Sequence, residues 1–283
     1  MKQAKTALIT GSTSGIGLGI AEHFAKSGFN IILNGLGNKA EIESAMQSLR
    51  QHQEHHHKNN TGVDNRVDTG VDTGVDTGGV IYHPADMRDK EQIKDMVASA
   101  DKAFGGTDIL VNCAGIQNVQ KIEEFSESKW EDIISINLSS CFYTTRYIVP
   151  HMKMKRWGRI INIGSVHSLV ASPFKSAYVA AKHGLAGFTK ATALELGEYG
   201  ITCNCICPGY VETNLVKKQI PEQMKVHNFS EEEVKQKIFF KNHAVKEFIS
   251  VEQIASFALY LCGDEARTIT GSTLTIDSGW NAQ

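Results

Sequence analysis

Ser165, Tyr178 and Lys182 have the types and spacing to move a proton between a substrate oxygen and solvent. Tyr178 and Lys182 stand four residues apart, about one helical turn, so the phenol and the ammonium share a face. A phenol is a poor base by itself, but a neighbouring positive charge favours the phenolate. A hydride cannot leave an alcohol carbon unless the hydroxyl proton leaves too. Tyr178 would take that proton in oxidation and return it in reduction, with the Ser165 hydroxyl orienting the same oxygen. Asn137, in the helix that begins near Ser126, is a candidate to join a water to Lys182; an ordinary helix asparagine is the alternative. A YxxxK pair alone is usually a surface feature, and it gains meaning here only in combination with a hydride acceptor.

The acceptor's place is marked by Gly11, Gly15 and Gly17 in TGSTSGIG, between a first strand and a first helix. Glycines at that junction let the backbone turn tightly and bring a pyrophosphate onto the free N–H groups of the helix start. Thr13, Ser14 and Ile16 complete the expected contact loop. The second strand ends in Asn34-Gly35-Leu36-Gly37, without the acidic residue that often binds the ribose of NAD and without an arginine for a ribose phosphate. Ser14 stands where a base would help, and Lys39 is the nearest cation. The missing phosphate clamp favours NAD over NADP, with Leu36 as the expected adenosine-side contact. Asp86 is placed to accept from the adenine amino group or, alternatively, to cap the next helix. Asn112, Ala114 and Gly115 follow the fourth strand, where small residues permit close cofactor approach.

These residues need a scaffold, and the apolar pattern supplies one. Strands are expected at 5–10, 29–35, 80–83, 107–112, 159–165, 201–207 and 272–277. Helices are expected after Gly15, over 39–51, 89–104 and 126–149, and from Ser176. Such alternation implies a parallel sheet covered on both faces. The stretch 52–79 breaks the rhythm with a histidine-rich run and VDTG units at 67–70, 71–74 and 75–78. It is expected to be an exposed low-complexity insertion, since loop length costs little. Its His52, His55, His56 and His57, with Asp68, Asp72 and Asp76, could collect an ion, but solvation is the stronger reading. Cys203, Cys205 and Cys207 share a strand face and are expected to be packed thiols, so no metal site is assigned.

The chain has 283 residues, enough for one large α/β domain or two small ones. Its 29 Lys and Arg nearly balance 31 Asp and Glu, so no global field favours nucleic acid or an anionic membrane. No stretch approaches the roughly 20 apolar residues of a membrane helix. MKQAKTALITGS turns polar before an export signal forms, and none of the six cysteines makes a CxxC pair. A cytoplasmic protein with reduced thiols is expected.

TGSTSGIG, NCAG, Asn137, Ser165, YVAAK at 178–182 and CPG at 207–209 together resemble the short-chain dehydrogenase/reductase family over nearly the whole chain outside 52–79. The resemblance implies a single-domain Rossmann fold of class α/β, a doubly wound seven-stranded parallel sheet spanning 1–283, commonly as a homotetramer. It implies catalytic roles for Asn137, Ser165, Tyr178 and Lys182, cofactor contacts from Tyr178 and Lys182 as well, and a nicotinamide side lined by Pro208, Gly209, Val211 and Thr213. Longer strings, among them NCAGIQ, GSVHSLVAS, KSAYVAAKHG and ICPGYVETNLV, are similar to members that interconvert (R)-3-hydroxybutyrate and acetoacetate with NAD. In those members polar and basic side chains hold the small hydroxy-acid substrate; the matching positions are Gln117, His167, Lys175 and Gln219, beside Ser165, Tyr178 and Tyr210. The implied chain end lies near a subunit interface, with Gln283 at its terminus. Cys113 stands in the second position of the family's NNAG, and Tyr210 where such members carry tryptophan, implying a changed pocket volume. Residues 210–249, with the amphipathic EEEVKQKIFFKNHAVKEFI, are expected to form a helical cover over the substrate or a static helical hairpin. Alternatives are a 3-oxoacyl-carrier-protein reductase or a noncatalytic binding protein of the same fold.

Overall fold

The computed structural model describes residues 4–61 and 79–282. Seven strands form one parallel sheet in the order β3-β2-β1-β4-β5-β6-β7. In chain order they are β1 (Thr6–Ile9), β2 (Asn30–Asn34), β3 (Val80–His83), β4 (Ile109–Asn112), β5 (Gly158–Ile163), β6 (Ile201–Pro208) and β7 (Thr273–Ile276). The helices are α1 (Gly15–Lys26), α2 (Lys39–Thr61), α3 (Lys90–Phe104), α4 (Glu127–Ile134), α5 (Ser140–Lys155), α6 (Ser176–Leu196), α7 (Asn214–His227), α8 (Glu231–Val234) and α9 (Val251–Leu261). The doubly wound α/β domain expected from the sequence is thus present, with strand ends within two residues of the expected ones.

The strands are mostly apolar because the sheet is covered on both faces, and the pleat sends alternate side chains to opposite layers. Ala7, Ile9, Ile31, Leu33, Ile109 and Val111 pack with Ile20 and Phe24 of α1 and Ile254 and Leu261 of α9. Leu8, Ile32 and Leu110 pack on the other face with Ile93 and Met96 of α3 and Ile148 and Met152 of α5. Cys203, Cys205 and Cys207 are buried along β6 as small core side chains.

Helix α9 was not expected from the sequence, and three further segments differ from the expectation. The single helix expected over 126–149 is broken by a π-helical turn, Ser135–Ser139, between α4 and α5. Helix α2 runs on to Thr61, so the first part of the segment expected as an insertion is helical, while the VDTG units lie outside the described residues. The 231–249 stretch is not one amphipathic helix: α8 passes into a π turn, Lys235–Phe239, and then into loop. Its apolar side chains Val234, Phe239 and Phe240 close a small separate core with Val216 and Ile220 of α7. Among the described residues no helix is long and apolar enough to cross a membrane.

Candidate active site

Strand β1 lies between β2 and β4, so the chain reverses direction across the sheet at β1, and the loops leaving β1 and β4 diverge from a crevice. The glycine loop sits in that crevice and its shape requires glycine. Gly11 has φ 63°, and a Cβ there would lie 2.7 Å from the Cα of Ala114. A Cβ on Gly17 would fall 2.3 Å from the Gly11 carbonyl oxygen. Gly15, at φ 57°, begins α1 and faces the Thr213 methyl at 3.8 Å from its own would-be Cβ. Ser14 caps α1 in extended conformation without a side-chain hydrogen bond, so the first-turn N–H groups remain for an anion. Thr13 packs against Gly35, and the hydroxyl of Thr10 accepts from Cys113 N at 3.0 Å and Ala114 N at 3.1 Å. Loops after β1, β2, β4 and β6 therefore converge on one cradle, which fits a dinucleotide.

On the adenosine side, Leu36 is 66% exposed at the end of β2. The Asp86 carboxylate is held by Arg88, with Nη2 at 2.6 Å, and this bonding keeps its pKa below the usual carboxylate range. Asp86 is not the cap of α3; Asp89 is, accepting from Glu91 N and Gln92 N. The Asn112 amide is turned into the sheet, donating to Asn162 Oδ1 at 2.8 Å and accepting from Thr144 Oγ1 at 2.7 Å. Its side chain therefore braces β4 against β5 and α5 and does not face the crevice. The Val211 side chain is likewise buried, and its backbone pairs with Ile249. Gly209 follows Pro208 and donates to the Ile276 carbonyl at 2.9 Å.

Ser165, Tyr178 and Lys182 are positioned by the end of β5 and by α6. Lys182 is 4% exposed, donates from Nζ to the Ile163 carbonyl at 2.7 Å, and lies 5.7 Å from the Tyr178 ring centroid. Ser165 caps the short turn 166–168, its Oγ accepting from His167 N at 3.2 Å with His167 Nδ1 at 3.4 Å. The His167 ring meets the Tyr178 ring edge-on at 6.0 Å, and its Nε2 is 2.8 Å from Ser172 Oγ. Burial, and then the nearby Lys175 charge, push the His167 pKa down to about 4, so its ring is neutral near pH 7. Asn137 is fully buried in the π turn, where its Oδ1 accepts from Ile116 N and its Nδ2 donates to Ile116 O, both at 2.9 Å. The amide thus pins the loop after β4 from within the π turn.

The remaining wall includes side chains that spacing did not reveal. Trp280 stacks on Tyr210 at 5.5 Å and meets His167 at 5.6 Å. His243 lies 5.9 Å from Tyr210 and 5.8 Å from Trp280, with burial holding its pKa below the usual value. Rings from three distant segments thus join the end of the chain to the Tyr178 group. Lys175 precedes α6, half-buried, and burial lowers its pKa; among the described residues no carboxylate pairs with it. Gln117 is exposed after β4 and Gln219 is half-buried on α7. Among the described residues, no hydrogen bond joins either one to Ser165, His167 or Tyr178.

The family profile described as short chain dehydrogenase matches residues 5–224. This chain belongs to the short-chain dehydrogenase/reductase family. It is 52% identical over 279 residues to a D-beta-hydroxybutyrate dehydrogenase of Rhizobium meliloti (strain 1021), covering 99% of each chain. It is 45% identical over 287 residues to a protein of the same name from Cupriavidus necator, covering 100% of each. An actinorhodin polyketide ketoreductase crystallised with NADPH superposes with a TM-score of 0.83 at 28% identity, over 99% of this chain and 98% of that one.

As a short-chain dehydrogenase/reductase the chain is an oxidoreductase, and its two departures from the family pattern have visible settings. Cys113 is half-buried against the α1 side of the core, where desolvation raises its thiol pKa to about 12. A neutral thiol there leaves the Ala114–Gly11 contact intact. Tyr210 is gripped between Trp280 and Phe239, whose ring it meets at 5.1 Å and 88°.

Proposed function

We propose that this short-chain dehydrogenase interconverts (R)-3-hydroxybutyrate and acetoacetate with NAD. The observation that carries the reading is the half-buried Lys175 ammonium, without a carboxylate partner among the described residues, one turn before Tyr178. A partly desolvated cation at that place fits a small anionic substrate whose carboxylate completes the pair. The full-length likeness to two D-beta-hydroxybutyrate dehydrogenases supports the same substrate class. The lack of an arginine near the glycine loop or the end of β2 supports NAD over NADP.

Bound NAD supplies the hydride acceptor. Gly11, Thr13, Ser14, Gly15, Ile16 and Gly17 would hold its pyrophosphate. Leu36 and Asp86 would meet the adenosine. Ala114, Gly115, Pro208, Gly209 and Thr213 would flank the nicotinamide. Asn112 and Val211 would serve from behind that lining.

The protein's own groups handle the proton. The Tyr178 hydroxyl has no hydrogen bond to a described protein group, so it is available to the substrate oxygen. The Ser165 hydroxyl, fixed by the His167 backbone, is the second contact to that oxygen. Neutral His167 acts as an uncharged hydrogen-bonding wall and leaves Lys175 as the carboxylate's charged partner. Trp280 and Tyr210 exclude water from the far side.

Initial rates of NAD reduction with (R)- and (S)-3-hydroxybutyrate, with NADP, and with unrelated secondary alcohols test the assignment. A preference for the (R) acid of about a hundredfold, near 2.7 kcal/mol at the transition state, is expected. Background rates with both acids, beside reaction of another alcohol, would keep the hydride chemistry and overturn the substrate.

A further inference from the structure

Asn34 ends β2 where a ribose-binding carboxylate would stand, yet it is fully buried. Its backbone is locked to the glycine loop: Ser12 N donates to Asn34 O at 2.6 Å, and Asn34 N donates to Ser12 Oγ at 3.0 Å. Its side chain is locked as well. Oδ1 accepts from Gly11 N at 3.3 Å, while the two amide hydrogens go to His83 O at 3.1 Å and Ala85 O at 3.0 Å.

We propose that Asn34 is a positioning residue for the adenosine half of the cofactor, setting the separation between the pyrophosphate cradle and the corner that carries Asp86, without touching the ribose itself. The inference rests on the reading of the crevice as an NAD site. One planar amide supplies the single acceptor that Gly11 N requires and the two donors that the carbonyls require, a combination no carboxylate or hydroxyl offers. Ala85 immediately precedes Asp86, so the bond to its carbonyl fixes the start of the adenine corner, and the bond from Gly11 fixes the start of the phosphate loop. With its donors committed inward, Asn34 leaves the ribose edge to Gly35 and Leu36. An acidic residue at this position would not create a ribose receptor. It would place a buried carboxylate against two carbonyl oxygens and open the cradle.

The test uses the full chain carrying Asn34→Asp or Asn34→Ser. ADP-ribose, which has the adenosine half and no nicotinamide, is titrated calorimetrically, and kcat and KM for NAD are measured at saturating hydroxy acid. Both variants are expected to bind ADP-ribose at least about tenfold more weakly and to raise the KM for NAD in step, with kcat within about threefold of the parent. In Asn34→Asp the loss is expected to shrink as pH falls toward 5, because protonation restores one donor; Asn34→Ser should show no such recovery. Unchanged or tighter ADP-ribose binding by Asn34→Asp would mean that the side chain reaches the ribose, and the inference fails. Equal damage to kcat and KM without pH recovery would reduce Asn34 to a general structural role and also overturn it. If Asn34→Asp does not fold, the affinity and kcat of Asn34→Ser decide alone. A parent enzyme that fails to bind ADP-ribose overturns the cofactor reading itself, an outcome separate from any behaviour of the variants.

Discussion

At the scale of single residues, the proposed function has the Tyr178 phenol serve chemistry and the Lys175 ammonium serve binding. Tyr178→Phe keeps the ring that packs on His167 and deletes only the proton carrier, so kcat should fall by about a thousandfold with NAD affinity and thermal stability unchanged. Steady-state rates beside a binding isotherm for NAD check this. Lys175→Met keeps the stem and removes the charge, so the KM for 3-hydroxybutyrate should rise by about ten- to a hundredfold, the worth of a charge-assisted hydrogen bond, with a smaller change in kcat. An uncharged secondary alcohol assayed in parallel should not share the loss. Tyr178, Lys182 and Ser165 were legible from spacing because helix periodicity and a strand end fix where such side chains go. Trp280 and His243 were not, because only the closure of the chain end over Tyr210 brings Trp280 against His167 and against His243. Asn112 and Asn34 were noticed by type and position, but whether an amide faces a crevice or the sheet depends on partners such as Thr144 and Ala85 that lie far off in sequence.

Elements turn these side chains into a site, and the closest tolerance lies where α1 meets the loop that begins it. Gly17→Ala would drive a methyl to 2.3 Å from the Gly11 carbonyl oxygen, a backbone atom that cannot move without shifting the phosphate loop. NAD affinity should drop by more than about tenfold, while Tyr178 and Lys182, held by α6 and β5, keep their geometry; fluorescence titration with NADH and kcat extrapolated to saturation separate the two. The strands were legible because a covered sheet writes short, β-rich, mostly apolar runs into the chain. Helix α9 went unread although Ser250 and Gln253 form a capping box at its start. The extension of α2 went unread for a different reason: its run HQEHHH is polar, and Gln53 is buried within it only because its amide reaches the carbonyl of Phe29 at 2.7 Å across the fold. The π turn is a tertiary device, tied to the two bonds between Asn137 and Ile116.

Over the whole molecule, the site's burial becomes a stability that depends on pH. His167 is 4% exposed, and its pKa is pushed down to about 4 by desolvation first and by the Lys175 charge second; His243, 2% exposed among rings, is shifted the same way by burial. The folded protein therefore resists protonating groups that the unfolded chain protonates below about 6.5. Unfolding takes up protons in that window, so stability is at its plateau above about pH 6.5 and declines as pH falls toward 4. Between pH 7.5 and 5.5 the His167 contribution alone amounts to about 1 kcal/mol, an order-of-magnitude figure from the linkage relation. Urea midpoints at the two pH values should differ accordingly in the parent. In His167→Gln, which has no proton to gain, the difference should shrink by about that amount. His243→Gln should shrink the remainder, and the two effects should add, because each ring reports its own desolvation although both touch Trp280. A parent whose midpoint is flat across this range would show that both imidazoles titrate as freely in the folded enzyme as in the unfolded chain, and the neutral wall assigned to His167 beside the substrate would have to be replaced by a charged one.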